Sequence, residues 1–144
     1  MAIDLNFVPN GIDICMPENV CKLNVKLRNL CGTIRKEMKR KHYPSVVVAV
    51  YAHRSKFAIV DKARKVERQY CNDIQNRINE IKIKYPKGLC KNTLGICSEQ
   101  HAADDYMVKY NVPIDRLRFS LAMRPRTNEL MSYCKNCKMI FKQL

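Results

Sequence analysis

The stretch that most limits the fold is "SVVVAVYA", Ser45 to Ala52, which carries no charge and no polar alternation. A continuous β-branched run of this length fits a central strand covered on both of its faces. Apolar elements must therefore be supplied to each side, and the neighbouring sequence offers them. Upstream, Val20, Leu23, Leu27, Leu30, Ile34 and Met38 recur at spacings of three and four, which predicts an amphipathic helix. It starts near Pro17 and Glu18 and runs to about His42. Downstream, His53 to Lys56 reads as a turn and Phe57 to Val60 as a second strand, making a hairpin without an Asn-Gly signal. Val66, Tyr70, Ile74, Ile78 and Ile81 form the stripe of a second helix, which stops before Tyr85-Pro86-Lys87-Gly88.

The remaining third continues the alternation of element types. Residues from Cys97 to about Asn111 read as a helix, with Ala102, Ala103, Tyr106, Met107 and Tyr110 along it. In "RLRFSLAM", Arg116 to Met123, Leu117, Phe119, Leu121 and Met123 alternate on one face, as in a half-buried strand. Residues 124–133 read as a connection, and Cys134 opens a last short helix. Helices between strands point to an α/β chain, a three-layer α/β/α sandwich around a small mixed sheet. With 144 residues, four scattered glycines and no repeat, residues 1–144 form one domain.

Charge narrows the partners. Lys and Arg total 27 against 13 acids, a net charge of +14. The first helix alone carries Lys22, Lys26, Arg28, Arg35, Lys36, Lys39, Arg40 and Lys41. Such an excess favours a polyanion, because neutralising phosphates releases counterions; solubility alone is the plainer alternative. There is no long apolar run and no basic amphipathic helix with aromatic anchors, which argues against a membrane. Met1 to Asp4 lacks the basic start and apolar core of a signal peptide, so the eight cysteines are not expected to pair as disulfides. Cys21, Cys31 and Cys71 fall on or beside apolar stripes, where a thiol behaves as a small hydrophobe.

Cys134-Lys135-Asn136-Cys137 is a C-x-x-C at a helix start, where both sulfurs share one side and N–H groups stabilise thiolates. A redox motif of this kind usually follows an early strand of a βαβ unit, so a metal is preferred here. A soft tetrahedral site needs three or four N or S ligands. Cys97 is the candidate third, and Glu99 two residues later can act on a water in an open fourth position. His101 is the rival ligand, or else lines the pocket; using both Cys97 and His101 would close the site. Arg124 and Arg126, beyond the last strand, are candidate substrate contacts, with surface pairing as the alternative. Cys90 has no assigned role unless the metal is structural and takes a fourth protein ligand, Cys90 or His101.

These pieces resemble the zinc-dependent nucleobase (cytidine) deaminases, whose signature is H-x-E followed by P-C-x-x-C. The matching residues are Cys97-Ser98-Glu99 and Tyr133-Cys134-Lys135-Asn136-Cys137, with tyrosine where the family has proline. The chain is most similar to the deaminase domains of bacterial polymorphic toxins, the YwqJ-like group. Its first ligand is characteristically cysteine in a C-[AS]-E pattern, and Arg124-Pro125-Arg126-Thr127 also looks like that group. The resemblance spans roughly residues 45 to 144 in element order, and its specificity lies in these short motifs. It implies a cytidine-deaminase-like fold, Zn2+ held by Cys97, Cys134 and Cys137, and Glu99 as proton shuttle. It implies hydrolysis of cytosine to uracil, in DNA before RNA, on a single-stranded or flipped base. An RNA adenosine or cytosine deaminase and a non-catalytic nucleic-acid-binding module with structural zinc stay open. The group further implies a monomeric toxin or effector, acting in a target cell and neutralised by an immunity protein. Deaminase sheets continue beyond the C-x-x-C helix, so here the sheet is expected to be either trimmed or completed by an N-terminal edge strand, with Ala2 to Val8 the candidate.

Overall fold

The structure is a computed structural model that describes residues 11–17, 21–64 and 67–144. Its strands are β1 (Ile12–Cys15), β2 (Val47–Ala52), β3 (Phe57–Lys62), β4 (Leu117–Phe119), β5 (Ala122–Met123) and β6 (Leu130–Met131). Its helices are α1 (Cys21–Glu37), α2 (Asn72–Lys84), α3 (Ser98–Tyr110) and α4 (Lys135–Ile140). The chain is thus mixed α/β, with one six-stranded sheet in the order β1-β3-β2-β5-β6 and β4 also paired to β2.

As the run at Ser45 predicts, β2 is the central strand, and Val47 to Val50 are fully buried. Alternate residues enter different cores. Val47 and Ala49 pack with Leu23, Leu27, Leu30 and Ile34 of α1. Val48 and Val50 pack with α2, α3 and α4 through Ile74, Ile78, Tyr106 and Ile140. A strand's side chains alternate across the sheet, so α1 covers one face and the other three helices cover the opposite face. Burying a side chain the size of Leu or Ile contributes roughly 1.5–3 kcal/mol, so these two stripes dominate the stability.

All pairings are antiparallel, which corrects the expected mixed sheet. The crossovers explain this. β1 and β2 run the same way but have β3 between them, and β3 and β4 run the same way with β2 between them. Each helical connection therefore steps over one strand instead of joining neighbours.

The edge strand is Ile12–Cys15, paired with β3 from Ile12 against Val60 to Cys15 against Phe57. The segment Ala2 to Val8, expected in that role, lies outside the described residues. Gly11 leads into β1 at φ +68, where a Cβ would stand 2.7 Å from the Val60 carbonyl oxygen; only glycine fits there.

The strand expected at Arg116 to Met123 is broken by a one-residue bulge. Val50 pairs with Phe119 but Val47 with Met123, so four steps on one strand oppose three on the other. Ser120 fills the gap: its N–H donates to the Ala49 carbonyl and its Oγ accepts from the Ala49 N–H, both at 2.9 Å. The bulge reverses the alternation. Leu117 and Ala122 face the helix-rich side, Met123 joins the α1 side, and Leu121, expected inside, is exposed.

Two helix boundaries differ from the sequence pattern, and the last connection is a turn between strands. α1 ends at Glu37 and Arg40–His42 form a separate 3-10 turn. The second helix starts at Asn72, so Tyr70 is buried but lies before it, and Val66 lies outside the described residues. Residues 124–129 are a tight turn joining β5 to β6, with Asn128 at φ +60. Among the described residues no helix is long and apolar enough to cross a membrane.

Candidate metal centre

Two helix starts converge on one point. Cys97 is the N-cap residue of α3 and Cys134 that of α4, both with extended backbone. Gly95, at φ +95, turns the chain into the first of these caps. Cys137 is one turn into α4 and fully buried. One sulfur from each of Cys97, Cys134 and Cys137 lies within 4.8 Å of the other two, and the Cys97–Cys134 pair is 3.6 Å apart.

This triangle could hold a metal ion. Tetrahedral thiolates at about 2.3 Å from zinc stand roughly 3.8 Å from one another. Helix N-termini add partial positive charge that favours thiolates. Three cysteines in mutual contact are all free, with no disulfide among them. The electrostatics agree with a site that gathers negative charge: Cys134 is pushed down by hydrogen bonds from Cys137 and Cys97, and both donors are pushed up in consequence. The Asn92 side chain also bonds Cys134 and lowers it further.

Glu99 stands beside the triangle and is not one of its ligands. Its carboxylate accepts from Ser98 Oγ at 3.2 Å and from Cys137 Sγ at 3.6 Å. The side chain is 6% exposed, and burial raises its pKa above the ordinary carboxyl value. A solvent-open cavity of about 300 Å³ lies next to it, lined by Cys97, Glu99, Cys134, Asn92, Ser132 and Arg124, among others.

The other candidates separate. Arg124 lines the cavity, with its Nε 3.0 Å from Met131 Sδ and 3.9 Å from the Glu129 carboxylate. Arg126 is exposed and does not line it. Between them, buried Pro125 gives its carbonyl to Arg35 of α1, which also bonds Asn128 Oδ1 at 2.8 Å; this anchors the turn. His101 lies on a different side of α3. It is fully buried against Tyr70, 5.4 Å between ring centroids, and burial lowers its pKa to about 3. It belongs neither to the sulfur triangle nor to the cavity lining, and Cys90 is likewise outside both.

Sequence reasoning missed two supports. Gln100 Nε2 donates to Cys137 Sγ at 3.6 Å. Asn136, inside the C-x-x-C, donates to the Asn92 carbonyl at 2.9 Å and so ties α4 to the loop before α3. Nothing local signalled either, because each bond joins segments distant in the chain, 37 residues apart for Gln100 and 44 for Asn136. No protein-family model, curated protein or solved structure matches this chain, so the family resemblance rests on the motifs alone.

Proposed function

We propose that the chain is a zinc-dependent hydrolytic deaminase of a nucleobase, with cytosine in DNA as substrate. The observation that carries this reading is a buried carboxyl, Glu99, set against a three-sulfur triangle at the end of an open cavity. Three protein ligands leave one position for water, the arrangement of catalytic zinc sites, whereas structural sites close with four. The covering of the sheet by α1 on one face and three helices on the other supports a cytidine-deaminase-like α/β/α sandwich.

Cys97, Cys134 and Cys137 would hold the zinc, which lowers the pKa of a bound water toward neutrality. Glu99 takes a proton from the attacking water and gives it to N3 of the ring. It then takes the remaining proton of the oxygen added at C4 and gives it to the exocyclic amine as the C4–N bond breaks and the C4 carbonyl forms, so cytosine and water become uracil and ammonia. Burial raises the Glu99 pKa above the ordinary carboxyl value, the direction that favours a proton-carrying role. Arg124 at the mouth supplies a cation for a phosphate.

The net charge of +14 favours a polymer over a free nucleoside. The resemblance to polymorphic-toxin domains makes the chain an effector with a cognate immunity protein, acting as a monomer in a target cell. The test is Glu99→Ala in the zinc-loaded protein, which keeps fold and metal but loses ammonia release from oligonucleotides. Full activity in that variant refutes the mechanism. Sequencing DNA and RNA from expressing cells separates a C-to-T excess from C-to-U or A-to-G. Zinc binding with no excess of any kind points to a structural zinc.

A further inference from the structure

Three hollows follow one another along the molecule and meet at shared residues. The cavity beside Cys97 and Glu99 shares Asn92 with a smaller hollow of about 160 Å³ bounded by Lys82, Tyr85 and Asn136. That hollow shares Ile81 and Tyr85 with a third, of about 380 Å³, edged by Lys84, Met139 and Lys142. The outer two hollows adjoin at Ile81 and Tyr85, between the C-terminal end of α2 and α4, and form a groove whose inner end is bordered by Asn92, which also borders the cavity of the candidate metal centre.

Its charge is one-sided. Arg77, Lys82, Lys84 and Lys142 line the outer two hollows against a single acid, Glu80. Arg77 is held by Asp115 at 3.2 Å and Lys82 by Glu67 at 2.8 Å. Among the described residues neither Lys84 nor Lys142 forms an ion pair, and both are exposed. Tyr85 sits between the two hollows, half-buried, with Lys84 Nζ 5.6 Å from its ring centre. Exposed lysines beside an aromatic ring, next to a cavity with which the groove shares Asn92, match a strand whose phosphates are anionic and whose bases are unstacked. A duplex hides its base faces and leaves Tyr85 nothing to stack on. Acidic side chains satisfy the lysines, but unlike a nucleotide they do not pair each negative charge with a flat ring for Tyr85.

We infer that the α2–α4 groove is the track of single-stranded DNA, with Lys84 and Lys142 on phosphates and Tyr85 under a base. The entry of the next base into the cavity rests on the deaminase reading; the groove itself does not. The test is fluorescence anisotropy of the full, zinc-loaded chain with a labelled dT 12-mer across a salt series. A thymine oligomer contains no cytosine, so binding is read apart from chemistry. Lys84→Glu with Lys142→Glu lowers the salt slope by about 1.4, two contacts at about 0.7 each on a single strand. Tyr85→Leu, which keeps the apolar packing, weakens binding roughly ten-fold. Lys22→Glu with Arg28→Glu, the same charge change on α1 across the sheet, leaves the slope within about 0.3 of wild type.

Equal losses from the two charge-reversed pairs, or none from the groove pair, overturn the proposal. Binding of an rU 12-mer ten-fold tighter than dT overturns the choice of DNA. Ammonia release from cytosine oligonucleotides is read in parallel. Its absence in wild type, with groove-dependent dT binding, sinks the deaminase reading and leaves the groove standing. Its presence, with dT binding indifferent to the groove variants, does the reverse.

Discussion

Asp105→Asn should flatten the dependence of stability on pH. Asp105 of α3 and Asp61 of β3 are both buried, at 6% and 0% exposure, and Oδ2 of each has no hydrogen-bond partner, so a proton on Asp105 would let the two carboxyls bond each other. Arg68 donates to Asp105 at 2.7 Å and lies 2.9 Å from Asp104, and Arg64 pairs with Asp61 at 3.1 Å. Three carboxyls thus face two guanidiniums, and a proton removes the excess. Burial first, and then Asp61, push Asp105 up to about 8.

The sign follows from linkage. The folded chain binds a proton at Asp105 that the unfolded chain has released above about pH 4. This stabilisation is complete below the unfolded value and is lost as pH rises through about 8. Near-complete protonation in the fold corresponds to a slope of roughly 1 kcal/mol per pH unit. In Asp105→Asn an amide N–H replaces the acid O–H toward Asp61, and the titration disappears. Between pH 5.5 and 7.5 the stability difference should move by about 2 kcal/mol in favour of the variant. At about 3 °C per kcal/mol for a chain of this size, that is about 6 °C in Tm. His101 works the other way: buried neutral, it adds stability as pH rises toward 6.5 in both proteins, so it cancels in the difference. Thermal melts of both proteins with zinc in excess decide the matter. Parallel Tm curves across this range would refute the shared proton.

Further outcomes concern the metal and the bulge. Zinc at a hundred times its Kd should stabilise the fold by about 2.7 kcal/mol, so a chelator should lower Tm by about 8 °C. Acid should release the metal as the three thiolates take up protons, and Cys137→Ser should weaken binding in a zinc titration; a Tm indifferent to chelator would remove the metal reading. Ser120→Ala should cost about 1–3 kcal/mol, because it leaves the buried Ala49 N–H without its acceptor in the bulge. Urea unfolding reads this directly, and a loss under about 0.5 kcal/mol would mean the bulge finds another acceptor.

The stripes of α1 and α2, the central strand β2 and the hairpin to β3 were legible because each follows from one local period. So were Cys97, Glu99, Cys134 and Cys137 as a candidate set, since short spacings at helix starts limit where the side chains point. His101 was the misleading neighbour. It is four residues past Cys97, yet burial against Tyr70 takes it away from the sulfurs. Asp104 and Asp105 lie in a buried cluster and pair with Arg68, which is 37 residues from Asp105 in the chain, so no local pattern announces the cluster.

The amino-acid sequence by itself determined the element types, the burial of β2 on both faces, the basic excess and the chemical identity of the cysteine–glutamate set. Periodicity and residue type act over a few positions, and these properties need no more. The tertiary structure alone decided the antiparallel pairing, the Ile12–Cys15 edge, the phase reversal at Ser120 and the meeting of Cys97 with Cys134. Each depends on which distant segments share a sheet edge or a helix end. That outcome is set by the packing of two cores against one sheet, and no local pattern encodes it.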